Sequence, residues 1–204
     1  MSVRAMMWVA CLAAGLAQAA YGDTIEITPF YGYSFGGEFE DAETGAGLNV
    51  RDSGCWGGML DLRVSPLGSV EFYFSRQETE LKSDESLFTS TKLFDLDVDY
   101  YHLGGTYILT DGQWQPFVVG TLGATHLDPE APATDSSTWF SVGLGGGVRF
   151  FPTEHLGLYL AGRGLFTFVE GDAAFHSDSG AATVRINGDG FWQVQFQVGA
   201  IFAF

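Results

Sequence analysis

The sequence predicts an all-β chain, an eight-stranded antiparallel up-and-down transmembrane β-barrel with three short periplasmic turns and four longer extracellular loops. Three observations lead there. First, the stretch Phe191 to Phe204 alternates strictly. Trp192, Val194, Phe196, Val198, Ala200, Phe202 and Phe204 share one face, while Gln193, Gln195 and Gln197 share the other, as the two-residue period of a strand requires. Second, the chain is 46% hydrophobic and 15% aromatic, yet beyond its N-terminus it holds no run of about 18 apolar residues to serve as a membrane helix. A barrel reconciles these facts, because lumen residues dilute lipid-facing ones one for one. Third, the alternating segments are joined by connections that read long, short, long, short, long, short, long. That asymmetry belongs to outer-membrane barrels.

The N-terminal segment, residues 1–19, reads as an export signal. Arg4 supplies its positive end, Ala5 to Leu16 its apolar stretch, and Ala17-Gln18-Ala19 a small-x-small cleavage site. The mature domain is then 20–204, placed in the bacterial outer membrane. Cys11 does not sit in a convincing lipoprotein signal. After cleavage Cys55 stands alone, which leaves no intrachain disulfide.

The first strand is expected over Thr24–Gly36, with Ile25, Ile27, Tyr31, Tyr33 and Phe35 outward and Glu26, Thr28, Phe30 and Ser34 inward. Pro29 is a cost there, since proline normally marks an edge strand. The polar stretch Gly36 to Arg51 reads as a loop. The second strand, Ser53–Val64, puts Trp56, Leu60, Leu62 and Val64 outside and Cys55, Met59, Asp61 and Arg63 inside. Ser65-Pro66-Leu67-Gly68 is a tight turn. The third strand, Ser69 to about Glu80, sets Val70, Phe72 and Phe74 against Glu71, Tyr73, Ser75 and Gln77. Leu81 to Phe94 reads as a polar loop.

In the fourth strand, Asp95–Thr110, Leu96, Val98 and Tyr100 form an apolar set at even positions, and Leu103, Tyr107 and Leu109 continue it at odd ones. A bulge near Tyr101 would reconcile the two phases. Asp111-Gly112 is a turn. The fifth strand, Trp114 to about His126, points Val118, Leu122 and Ala124 outward. Leu127 to Ser137 is a loop with two prolines. The sixth, Thr138–Phe151, turns Phe140, Val142, Leu144, Val148 and Phe150 outward and Ser141 and Arg149 inward. The seventh, Leu156 to about Val169, turns Leu158, Leu160, Phe166 and Phe168 outward and Tyr159, Arg163 and Thr167 inward. Glu170 to Gly190 is the longest loop, and Phe191–Phe204 closes the chain.

The alternative for such strands is a soluble barrel with an apolar interior. Here the more polar set includes Glu26, Asp61, Arg63, Glu71, Arg149 and Arg163. That polarity is inside out, and it suits a membrane. Formal net charge is −16, with only nine Lys and Arg, so the clustered cations that a nucleic-acid partner needs are lacking. The expected partners are outer-membrane lipid and lipopolysaccharide, and the chain is expected to be a monomer.

The eight segments, the glycine-rich runs His102-Leu103-Gly104-Gly105-Thr106-Tyr107 and Gly143-Leu144-Gly145-Gly146-Gly147, and the final Phe204 carry a resemblance over about 20–204. The chain resembles the OmpA-like eight-stranded outer-membrane β-barrel family (outer membrane protein beta-barrel domain). The resemblance implies that Trp192, Phe196, Phe202 and Phe204 form the C-terminal signal read by the barrel assembly machinery. It speaks to fold and location rather than function. The family's best-known members add a periplasmic peptidoglycan-binding domain; the chain ends at Phe204 without one, so no cell-wall tether is implied.

Eight strands leave an interior just wide enough for side chains. Charges away from water need partners, so Glu26, Asp61 and Glu71 are expected to pair with Arg63, Arg149 and Arg163 as a lumen ion-pair network. That network is either a plug or a gate for small ions. No catalytic residues, cofactor or metal ligands are expected. His176-Ser177-Asp178 holds triad residue types, but as neighbours in one loop, whereas triads draw on separated positions. His126 with Asp128 lacks a nucleophile, and His102 and His155 have no metal-ligand spacing. A lipid-modifying enzyme ranks third, behind a structural or surface-interaction role and a narrow porin-like channel. Glu38, Glu40, Asp41 and Glu43, with Glu78, Glu80, Asp84 and Glu85, make acidic loops. They are either a solvated face or ligands for Ca²⁺ or Mg²⁺ bridging to lipopolysaccharide.

Overall fold

The computed structural model describes residues 25–40, 47–86, 89–129, 136–169, 173–176, 183–186 and 190–204, with backbone alone for 38–40, 47–50, 80–86, 89–95, 129, 173–176 and 183–186. The export signal and its cleavage site lie outside the described residues.

Strands form where the two-residue alternation is longest. They are β1 (Ile25–Phe35), β2 (Glu38–Glu40), β3 (Gly47–Val50), β4 (Ser53–Ser65), β5 (Gly68–Ser86), β6 (Thr89–Ile108), β7 (Trp114–Pro129), β8 (Ser137–Phe150), β9 (Leu156–Thr167), β10 (Ala173–His176), β11 (Thr183–Ile186) and β12 (Phe191–Ala203). Eight of them, β1, β4 to β9 and β12, pair antiparallel in the circuit β1-β4-β5-β6-β7-β8-β9-β12, and β1 pairs back onto β12. Closure gives every inner strand edge a partner, which is what a bilayer demands of backbone amides. The seam is finished at the short-turn end, where the Phe204 amide donates to the Ile25 carbonyl at 2.9 Å.

Burial alternates inside out, as the sequence predicts. Along β1 the odd residues are exposed and the even ones buried; along β12 it is the even residues that are exposed and the odd ones buried, apart from the intermediate Gly199 and Ala200. Leu60, Leu103, Leu122, Leu144, Leu160 and Val198 stand exposed around the middle. Aromatic clusters lie above and below them. Towards the loop end, Trp56 packs on Phe74 and Phe74 on Tyr101, and Phe166 contacts both Phe168 and Trp192. Towards the short turns, Trp114 and Phe150 lie 4.5 Å apart. An aliphatic band between aromatic girdles is the outer surface of a membrane barrel.

Four sequence expectations change. The bulge near Tyr101 is absent. Pairing of β6 with β5 and with β7 runs unbroken through that residue. Leu96, Val98 and Tyr100 are simply inward, at 3%, 0% and 0% exposure, because the lumen at that height packs apolar side chains beside buried amides and hydroxyls such as Gln77 and Thr79. The stretch 81–94 is mostly not a loop: β5 runs to Ser86 and β6 starts at Thr89, paired as one long hairpin. A hairpin standing in water needs no apolar face, so hydrophobic periodicity could not reveal it. The stretch 36–51 contains β2 and β3, with β3 extending the sheet beside β5. The stretch 170–190 contains the separate hairpin β10–β11.

Pro29 sits within β1, fully in register with Gly58 of β4. On the other side, pairing steps from Ile27↔Phe202 to Phe30↔Gly199 and skips the two positions between. The missing donor therefore falls on the seam between first and last strands.

Close strand contacts dictate some glycines. A Cβ on Gly57 would lie 2.0 Å from the Phe74 carbonyl oxygen and 2.8 Å from Phe30 Cζ. On neighbouring Gly58 it would meet only the Thr28 oxygen at 3.8 Å. Gly57→Ala is expected to lower unfolding stability by about 1–3 kcal/mol through overpacking, and Gly58→Ala to leave it unchanged. Urea titration of the two refolded variants measures the contrast.

Candidate functional site

The lumen is the candidate site, and β-strand register builds it. Glu26, Asp61 and Glu71 are direct cross-strand partners on β1, β4 and β5. They place three carboxylates in one inward row. Like charges directly opposite repel, so this wall needs cations. Two come from the far wall. Arg163 on β9 donates to Glu71 Oε1 at 2.8 Å, and Arg149 on β8 donates to Glu26 Oε2. The third, Arg63, comes from β4 itself and reaches Glu26 Oε1 at 3.0 Å. In the circuit of eight, β5 and β9 are diametrically opposed, so the Arg163–Glu71 pair crosses the full width of the lumen.

Asp61 takes a different partner from the expected arginine. Its Oδ1 accepts the Ser69 hydroxyl at 2.9 Å. Thr106 adds a bond to Glu71 Oε2 at 3.2 Å. Glu26, Glu71, Asp61, Arg149 and Arg163 are all buried, and Arg63 is half-exposed at the mouth.

Above this charged tier lies a tier of amides and aromatics that sequence reasoning did not single out. The Arg163 guanidinium sits 4.0 Å over the Tyr73 ring, which stacks on Phe30. The Tyr73 hydroxyl donates to Gln195 Oε1 at 2.6 Å and accepts from Gln197 Nε2 at 2.8 Å. His102 is fully enclosed, with Nδ1 2.9 Å from Thr121 Oγ1 and Nε2 2.8 Å from Ser141 Oγ. Higher still, Tyr100 donates to Gln193 Oε1 at 2.7 Å across the barrel, among buried Leu96, Val98, Leu127, Leu165, Val169 and Phe191. The lumen thus grades from charged at the short-turn end to apolar towards the loops.

The outer wall holds a second charged feature. Arg76 and Asp99, partners on β5 and β6, form a two-bonded pair at 2.7 and 2.5 Å on the lipid-side parity, beside Tyr101. Continuous odd-outward parity along the fourth strand would have located it, had the bulge not been invoked.

The remaining sequence candidates scatter. His126 Nδ1 lies 2.9 Å from Thr138 Oγ1, and Asp128 is exposed. His155 stands in the exposed turn after β8, its carbonyl accepting the Ala203 amide at 2.9 Å. Ser177 and Asp178 lie outside the described residues, as does the His176 side chain. So do the acidic side chains of the first two loops apart from exposed Glu78. Among the described residues no group of three or more His, Cys, Asp or Glu is placed to hold a metal ion. Trp192, Phe196, Phe202 and Phe204 project from the outer wall at 60%, 58%, 40% and 73% exposure, which opens them to lipid or to another protein.

Removing one member of a buried pair strands the other charge and costs about 3–5 kcal/mol. Arg163→Ala is therefore expected to destabilise the barrel by that amount. The paired change Arg163→Met with Glu71→Gln is expected to restore most of it. Equilibrium unfolding of both variants checks the difference.

Structural comparison supplies three likenesses. The outer membrane protein OprG from Pseudomonas aeruginosa superposes with a TM-score of 0.63 at 14% identity, over 90% of this chain and 96% of its own. The outer membrane protein AlkL, solved in lipid bilayers, gives 0.62 at 14% identity over 90% of each chain. Neisserial surface protein A gives 0.55 at 11% identity, over 90% of this chain and 98% of its own. No protein-family model and no curated protein sequence matches. At these identities the likeness speaks for the fold. The closed circuit, the inside-out burial and the three likenesses give this chain the fold of the eight-stranded outer-membrane β-barrels, the OmpA-like architecture its sequence resembles.

Proposed function

We propose that the protein is an integral bacterial outer-membrane barrel, exported through its N-terminal signal, with a plugged lumen and a structural or surface-interaction role. One observation carries the reading: opposite walls are tied together at successive heights, by Arg163–Glu71, by Tyr73–Gln195 and by Tyr100–Gln193, with apolar side chains filling the loop end. A lumen packed and hydrogen-bonded like a core leaves the outer wall and the loops as the surfaces that meet partners. Lipid and lipopolysaccharide contact the wall. The exposed aromatic residues of β12 serve recognition by the assembly machinery. No catalytic role is assigned, since no described His or Ser forms a nucleophile–base–acid arrangement.

A narrow channel is the second reading, and one observation favours it. Along the β9–β12 wall, Arg163 Nε and Nη1, Gln195 Nε2 and Gln197 Oε1 are buried with hydrogen-bonding capacity that no protein atom fills. A file of polar groups of this kind suits hydration and slow passage of small ions.

Two measurements test these readings. In planar bilayers the refolded barrel is expected to be silent, and Arg149→Ala is expected to lower stability without opening it; discrete openings that change in that variant would select the channel. A heat-modifiability gel verifies folding of each sample. For the membrane itself, Leu144 is 69% exposed in the aliphatic band, so Leu144→Arg is expected to cost about 2–4 kcal/mol in bilayers. A neutral effect there would overturn the lipid-facing assignment.

A further inference from the structure

At its short-turn end the lumen bears an inward aromatic ring. Phe150 points outward against Trp114, so the two-residue period of a strand turns its neighbour Phe151 inward. The ring lies one step nearer the turn than Arg149, whose guanidinium carbon is 5.1 Å from its centroid. It also rests on bare backbone. A Cβ on Gly157 would stand 3.0 Å from both Cδ1 and Cε1 of the ring, so any side chain at that position competes for the seat. Deeper than Phe151, Arg149 and Glu26 are buried together as an ion pair.

Beside the ring lies a pocket of about 210 Å³, which Phe151 lines with Glu26, Arg63, Gln115, Glu154 and Ala203. The backbone of Phe151 is pinned. Its amide donates to the Gln113 carbonyl at 2.8 Å, and the following Pro152 holds it extended. The soft coordinate is therefore rotation about χ1, between staggered wells. One well seats the ring on Gly157 and Arg149, and the pocket leaves space for another.

Opposing forces act on the ring. Apolar contact and the cation–π attraction of Arg149 keep it seated. Against them, the seated arrangement leaves Gln115 Oε1 and Arg63 Nε buried at this mouth without a partner, and buried polar atoms are almost always paired. Gln115 is the cross-strand partner of Arg149, so water admitted past a displaced ring would hydrate that neighbourhood.

We propose that Phe151 is a hinged cap on the short-turn end of the lumen. Seated, it keeps water from the Arg149–Glu26 pair; swung into the pocket, it lets water reach them. The inference goes beyond the plugged-lumen reading and is independent of whether the lumen conducts, because it concerns access from one end only.

The test is NMR of the refolded full barrel in detergent micelles. It follows solvent exchange of the Arg149 and Arg163 Nε–H groups and the χ1 couplings of Phe151. Arg163 lies four residues further along β9 than Tyr159, the partner of Arg149, and serves as the internal control. Phe151→Ala is expected to speed Arg149 exchange roughly tenfold or more, as loss of local protection does, and to leave Arg163 unchanged. Gly157→Ala, which crowds the seat, is expected to speed Arg149 exchange to a smaller extent. The Phe151 couplings are expected to be averaged between two wells in the native chain and to shift towards the second in Gly157→Ala. Heat-modifiability verifies folding of each variant. Unchanged Arg149 exchange in Phe151→Ala would overturn the proposal. So would joint acceleration of Arg149 and Arg163, which marks a loosened barrel, or a single χ1 well shared by the native chain and Gly157→Ala.

Discussion

Three carboxylates in one row on adjacent strands form an arrangement that cannot stand alone. Glu26, Asp61 and Glu71 are locked side by side by register, in a space where water cannot screen them. The rest of the interior is organised around that burden. Arg149 and Arg163 reach in from β8 and β9, Arg63 turns in from β4, and Ser69 and Thr106 take the remaining oxygens. Once Arg163 is drawn to Glu71 its guanidinium covers Tyr73, and Tyr73 in turn orients Gln195 and Gln197. One electrostatic requirement thus fixes side chains two tiers away.

This explains which part of the molecule was legible in advance. Side-chain parity is a local property, and Phe191 to Phe204 or Ile25 to Phe35 declare it without knowledge of any partner. Strand number and facing follow from it. Strand length does not: β5 and β6 continue as paired backbone through 81–86 and 89–94, where the sequence shows no apolar alternation to reveal it. The error at Tyr101 has the same root. Treating apolar as outward holds while the lumen is lined by polar side chains alone and fails at Leu96, Val98 and Tyr100, where apolar side chains also pack inside.

The candidate site was legible in membership and not in pairing. Burial of Glu26, Glu71, Arg149 and Arg163 follows from parity. Which arginine meets which carboxylate depends on how far strands on opposite walls are staggered, a global quantity that no single segment encodes. Asp61 shows the limit, since Ser69, the residue just past the Ser65–Gly68 turn, satisfies it instead of a guanidinium. His102 and Tyr100 show it from the other side. Each looks unremarkable in sequence; Tyr100 becomes a cross-lumen anchor only after closure, and His102 ties together Thr121 and Ser141 on the two strands that follow its own.

The Arg76–Asp99 pair on the outer wall gives the barrel a waterline. Hydrocarbon will not accept that doubly bonded ion pair at its centre, and the girdle of Trp56, Phe74 and Tyr101 begins directly beneath it. On the opposite side Phe166, Phe168 and Trp192 carry the aromatic belt, with no such charged marker among the described residues. The strand pair β5–β6, the longest strands among the described residues, thus carries the ion pair that marks this waterline on its outer face.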